Sequence, residues 1–119
     1  MRLKLPHLDP VRFAQDLISS TEKTCLVSAK FPTVPSLAMI SEAAAQSSAA
    51  FFFDTKDKEL MAFLVMLKNI TLEQKPLGLE LEIRLQIEQD LGDMMYLSFT
   101  AMETEVHIAH GDFAIAVPK

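Results

Sequence analysis

At 119 residues the chain has the length of a single domain, 1–119, and half of its residues are hydrophobic, enough for a core that hides roughly two-thirds of the unfolded surface. Eleven Lys and Arg against sixteen Asp and Glu give a formal net charge of −5, and the basic residues are scattered, which excludes nucleic acid as a partner because phosphate binding requires clustered cations. A mean hydropathy of +0.21 is high for a small chain and points to apolar surface buried against another subunit, in a homodimer or higher homo-oligomer.

The start, MRLKLPHLDP, has two basic residues but lacks the apolar core and small-residue cleavage site of a signal peptide. Asp9-Pro10 then reads as a helix start, with Asp as N-cap and Pro at the first helical position. Val11, Phe13, Ala14, Leu17 and Ile18 fall on one side of a short amphipathic helix ending near Ser19-Ser20. Residues 23–30, KTCLVSAK, predict a strand. Its Cys25 is the only cysteine, so it makes no internal disulfide; in so apolar a run it reads as a buried small residue in a reducing compartment.

Pro32 and Pro35 break the chain, and a second helix is expected from about Ser36 to Phe53. It is apolar nearly all the way round, as in a helix enclosed by other elements. The run 34–53 also contains Glu42, Gln46 and four serines, so it falls short of a bilayer-spanning segment. No membrane insertion is expected, and the location reads as cytoplasmic. Glu42 is the only charge after Lys30 until Asp54, and an unpaired carboxylate is costly to bury unless something requires it there.

The charged turn 55–59, TKDKE, returns the chain to solvent, and 60–70 is an apolar run of strand length. Leu79, Leu81, Ile83, Leu85 and Ile87 then alternate with Glu80, Glu82, Arg84, Gln86 and Glu88, the signature of a strand with one face on the core and one in water. Leu91-Gly92-Asp93 is a turn, Met94–Met102 another strand, Glu103-Thr104 a tight turn, and Val106–Val117 a last strand with a bulge expected at Gly111. One long hydrophobic helix followed by four antiparallel strands makes the chain α+β. Its natural packing is the hotdog fold, a curved antiparallel sheet wrapped around a long central hydrophobic helix. Exposed edges of such a sheet are resolved by pairing two sheets edge to edge in a dimer.

Within this layout one segment resembles the FabZ/FabA-type 3-hydroxyacyl-(acyl carrier protein) dehydratases of fatty-acid synthesis. Their usual segment reads His-Phe-Pro-Gly, a short Pro-containing loop, Pro-Gly, an apolar stretch, then Glu-Ala-Met-Ala-Gln opening into small residues. Here Lys30-Phe31-Pro32-Thr33, Pro35-Ser36 and Glu42-Ala43-Ala44-Ala45-Gln46 stand in those places, and Leu5-Pro6-His7 looks like the family's early Leu-Pro-His. The motif covers about twenty residues, the layout most of the chain. The loop before the helix is about two residues shorter than the family's.

The resemblance implies removal of water from a 3-hydroxyacyl thioester. A base takes the α-proton, an acid protonates the departing hydroxyl, and backbone amides stabilise charge on the thioester carbonyl. It makes Glu42 the helix carboxylate, places Lys30 where the family has its catalytic histidine, and implies substrate-binding roles for Phe31, Ser36, Leu37 and Gln46, with the Ser36 and Leu37 amides as carbonyl donors at a helix start. A free lysine has a pKa near ~10.4 and acts as a base only after a depression of roughly 3 units. No metal and no cofactor are implied. The partner implied is an acyl thioester on acyl carrier protein or coenzyme A.

Three other readings stay open. A thioesterase shares the fold and uses a helix carboxylate without that histidine, and a non-catalytic subunit would bind acyl groups or assemble with a partner. A Lys30–Glu42 ion pair, with Gln46 hydrogen-bonding Glu42 at i+4, would instead give Glu42 a structural role. His7 is a candidate replacement for the missing histidine. His107 and His110, three apart on the last strand, fall on opposite faces of a regular strand, and no third ligand stands at metal-binding spacing. The Met-rich set Met61, Met66, Met94, Met95 and Met102 reads as core and dimer packing or as the lining of an acyl tunnel.

Overall fold

The computed structural model describes residues 12–52 and 63–116. The predicted helix start at Asp9-Pro10, His7, Phe53, the charged turn 55–59 and Met61 lie outside the described residues. In chain order the elements are β1 (Ala14–Ser20), β2 (Thr24–Lys30), α1 (Leu37–Ser47), a 3-10 turn (Ser48–Phe52), β3 (Phe63–Leu72), β4 (Glu80–Asp90), β5 (Met94–Glu103) and β6 (Val106–Ala116). The strands form one six-stranded sheet in the order β1-β2-β4-β5-β6-β3, and every neighbouring pair is antiparallel.

The alternation in β4 carries over between residues 80 and 86, whereas Ile87 is only half-buried and Leu79, expected inward, precedes the strand and is 41% exposed. Leu81, Ile83 and Leu85 are buried, while Glu80, Glu82, Arg84, Gln86 and Glu88 face water. Because β2 and β5 pair with β4 in unbroken register over this stretch, their own inward residues, Val27 opposite Ile83 and Phe99 opposite Leu85, line the same face. Ile40, Ala43 and Ala44 of α1 belong to the same buried cluster. Each fully buried large side chain there contributes roughly 1.5–3 kcal/mol. An antiparallel sheet with a single helix on its inner face is the arrangement the sequence predicts for a hotdog fold.

Two expectations about the helices are corrected. The chain at 14–20 is a strand, not a helix. Its register against β2 is irregular between Ala14 and Leu17 and again between Leu17 and Ser19. Those irregularities replace strict alternation with an apolar spacing that mimics a helical face. The second helix is shorter than 36–53 and is not buried all round: α1 has 11 residues, with Glu42 and Met39 half-buried and Ala38 exposed. Its start is set by Ser36, whose Oγ accepts the Met39 N–H at 3.2 Å. Its end is set by serine: Ser47 Oγ donates to the Ala43 carbonyl at 2.7 Å and Ser48 Oγ to the Ala45 carbonyl at 2.6 Å. Such back-bonding to the preceding turn favours the tighter 3-10 winding that follows.

The strand expected at 60–70 is Phe63–Leu72, and its bulge corrects the one expected on β6. Lys68 pairs with Asp112 and Thr71 with His110, so Asn69 and Ile70 together face Gly111. Asn69 holds φ 56°, a left-handed conformation that Asn tolerates, and its Nδ2 donates to Asp112 Oδ2 at 3.3 Å. A Cβ on Gly111 would stand 2.3 Å from Ile70 Cδ1 and 3.1 Å from Ile70 Cα. Glycine is therefore what lets the bulged strand approach. A second irregularity, on β6, pairs Ala101 with Ala109 and Met102 with His107, leaving Ile108 as the extra residue. It buries Ile108 and Ala109 in succession and leaves His107 and His110 both exposed. The β5–β6 turn lies at Thr104-Glu105, one residue beyond the expected position, with φ 46° and 68°, as a two-residue hairpin of type I′ requires.

Candidate functional site

The residues singled out by the motif meet where β2 ends, α1 begins and β1 starts. Lys30 is the last residue of β2, and is exposed; its backbone N–H donates to the Phe13 carbonyl at 2.9 Å. Phe31 turns inward, only 2% exposed, with its ring 5.0 Å from that of Phe13 and its N–H on the Leu79 carbonyl at 2.8 Å. The aromatic pair thus closes the core beneath the loop that leads, through Pro32 and a buried Pro35, into the helix.

At the helix start, Ser36 Oγ is engaged by Met39 N–H, and Ile40 N–H returns to the Ser36 carbonyl at 3.0 Å. The N–H groups of Ser36 and Leu37 have no acceptor among the described residues. They are donors of the kind that every helix start leaves over, and the helix dipole favours negative charge beside them.

Glu42 lies in the middle of α1, half-buried. Gln46, one turn later and 3% exposed, donates from Nε2 to Glu42 Oε1 at 3.4 Å. The carbonyl end of the same side chain accepts two backbone amides from the start of β1, Phe13 N–H at 2.8 Å and Ala14 N–H at 3.1 Å. A connected path therefore runs from Lys30 N–H through the Phe13 carbonyl and its own N–H to Gln46, and on to the Glu42 carboxylate. The i+4 contact is legible in the sequence. The two β1 amides are not, because they lie 33 and 32 residues away in the chain.

Among the described residues no ion pair joins Lys30 to Glu42. The nearest cross-strand neighbour of Lys30 in the sheet is Glu80. His107 and His110 stand on the solvent side of β6, and His110 Nδ1 lies 3.4 Å from Glu73 Oε2 with both side chains nearly half exposed. No group of three or more His, Cys, Asp or Glu among the described residues is arranged to hold a metal ion. Cys25 is buried on the inner side of β2, and desolvation pushes its thiol up to about 12, against a smaller opposing effect of the Leu85 backbone. It is a packing residue, since the nucleophilic form is the thiolate. Of the methionines, Met95 is buried, Met94 and Met102 are half-buried and Met66 is 37% exposed.

No known family model and no curated protein sequence matches the chain. Solved structures do. A chain of the dehydratase heterocomplex ApeI:P from Xenorhabdus doucetiae superposes with a TM-score of 0.75 at 11% identity, over 97% of this chain and 88% of that one. A hypothetical thioesterase protein with coenzyme A from Streptococcus pneumoniae gives 0.66 at 9% identity, over 87% and 84%. The protein smu.793 from Streptococcus mutans, bound to acetyl CoA, gives 0.67 at 15% identity, over 94% and 96%. No helix among the described residues is long and apolar enough to cross a membrane. At these identities the likeness is one of fold, and the chain is a hotdog-fold protein whose structural neighbours include a chain of a dehydratase heterocomplex, a hypothetical thioesterase and a protein bound to acetyl CoA.

Proposed function

We propose that the protein binds and turns over an acyl thioester, as a dehydratase-like protein of fatty-acid metabolism with an altered active site. The observation that carries this reading is Glu42, a half-buried carboxylate tethered on α1 by Gln46, on the same helix whose first amides have no acceptor among the described residues. In this reading the Ser36 and Leu37 N–H groups receive the thioester carbonyl oxygen as charge develops on it, and Glu42 protonates the departing hydroxyl or orients a water. Lys30 occupies the place of the family histidine, and Phe31 supports the loop that carries the acyl group past it.

A thioesterase is the second reading, and a specific observation favours it: Lys30 is exposed and forms no ion pair with Glu42 among the described residues. Hydrolysis needs one carboxylate to orient water and no second side chain to abstract an α-proton. Purified protein offered crotonyl and 3-hydroxybutyryl thioesters, on coenzyme A and on acyl carrier protein, separates the readings. Interconversion of the two acyl groups marks a dehydratase; release of free thiol marks a thioesterase. Tight binding without either marks a non-catalytic acyl-binding subunit, and neither binding nor turnover of any thioester rejects the proposal.

The same reading includes a homodimer formed through β3. This is an edge strand of the sheet on which four consecutive apolar residues are exposed, Leu64 38%, Val65 51%, Met66 37% and Leu67 46%. An open, apolar edge is a template for pairing with another strand. Val65→Lys is expected to shift the dimer to monomer in sedimentation. A monomeric wild type, or a dimer that this variant leaves intact, counts against the β3 interface.

A further inference from the structure

We infer that Gln46 is a positioning residue for Glu42, coupling the orientation of its carboxylate to the start of β1. The inference rests on the reading of Glu42 as the working group of the site.

The chemistry of the side chain supports the positioning role. A glutamine offers one carbonyl oxygen with two lone pairs and one amino group with two donors. Both lone pairs of Gln46 Oε1 are engaged, by Phe13 N–H at 2.8 Å and Ala14 N–H at 3.1 Å. Those two donors also fix which way the amide lies. A flipped amide would turn NH2 toward two N–H groups and leave all three without acceptors in a place that is 3% exposed. With the carbonyl held on β1, the amino group is held on the other side, where it donates to Glu42 Oε1 at 3.4 Å. No acceptor capacity remains on Gln46 for a substrate hydroxyl or amide.

The consequence is mechanical. Ala14 opens the edge strand β1 and Phe13 directly precedes it, and the Phe13 carbonyl also receives the Lys30 N–H at 2.9 Å. The end of β2 therefore reaches the Glu42 carboxylate through two links in series, the Phe13 backbone and the Gln46 amide. A rotation of the carboxylate away from Gln46 breaks a bond to an amide that cannot follow it.

Two variants divide anchoring from positioning. Gln46→Glu, assayed at a pH where both carboxyls are ionised, keeps an oxygen for the Phe13 and Ala14 amides but has no hydrogen to donate to Glu42, whereas Gln46→Leu loses both functions. Positioning predicts that Gln46→Glu retains slow hydrogen exchange at Phe13 and Ala14 and an unchanged KM, while kcat for the thioester falls about tenfold or more. Binding to substrate predicts a rise in KM instead, and a purely structural role predicts a kcat within twofold of wild type whenever the exchange protection is kept; either result overturns the inference. A second readout needs no turnover. In Glu42→Ala the side-chain NH2 resonances of Gln46 are expected to move while the Phe13 and Ala14 amide resonances stay in place, and unmoved NH2 resonances would overturn the inference. A wild type with no turnover rejects the proposed function while this measurement still decides the role of Gln46.

Discussion

From β4 to β6 the chain is held by long antiparallel ladders over a face of large apolar side chains, whereas among the described residues the hydrogen bonds that join the start of β1 to the helix go to the side chain of one residue, Gln46. The first kind of support is redundant: losing one hydrogen bond leaves its neighbours in place. The second is not, because both β1 amides and the Glu42 contact depend on one amide group. The sheet is therefore expected to carry most of the stability of this fold, and the junction the proposed site. Four measurements test this contrast.

The largest effect is expected in the sheet. Phe99 is 2% exposed and lies 6.2 Å from the Phe113 ring, so Phe99→Ala should cost about 3–5 kcal/mol in chemical denaturation. A loss under ~1 kcal/mol would mean that the sheet is not where the stability resides. Gln46→Leu should cost about 2–4 kcal/mol, because it leaves two buried N–H groups without an acceptor. The loss should come with fast exchange at Phe13 and Ala14 and unchanged protection across β4 and β5. Uniform loss of protection would instead make the junction part of one cooperative unit with the sheet.

Cys25 gives a smaller and pH-dependent effect. Its thiol titrates at about 12 in the folded chain against 9.0 when free, because burial desolvates the thiolate. Between these values the folded state holds the proton and the unfolded state releases it, so the contribution is fully present below pH 9 and is lost as pH rises toward 12. The slope from this group alone is about 1.4 kcal/mol per pH unit. Denaturation midpoints of Cys25→Ala should therefore fall less steeply above pH 9 than those of wild type, and equal slopes would contradict the burial. The smallest effect belongs to the solvent side: His110→Ala, which removes the contact with an equally exposed Glu73, should change stability by no more than about 0.5 kcal/mol.

How much of this was legible in the sequence follows the same division. The β4 alternation over residues 80–86, the strand with Cys25, the helix start at Ser36 and the i+4 link from Glu42 to Gln46 are local patterns, and each stands in the structure where the residues predict it. β1 was not legible, because two irregularities in its register break the two-residue period on which strand recognition depends. The length of α1 was misjudged because serine hydroxyls at 47 and 48 end it without a glycine or proline to mark the place. The bulge associated with Gly111 fell on the opposite strand, since one sequence shows that a close approach occurs but not which partner makes it. The role of Gln46 depends on partners 33 and 32 residues away, beyond any periodicity.

Whether Glu42 does the proposed chemistry is decided by the kinetics of Glu42→Gln on the thioester that the wild type turns over best. With Glu42 as the working group, kcat falls about a hundredfold or more, while the denaturation midpoint stays close to wild type because the half-buried carboxylate is replaced by an amide of equal size. A variant that turns over thioester at the wild-type rate would contradict that role.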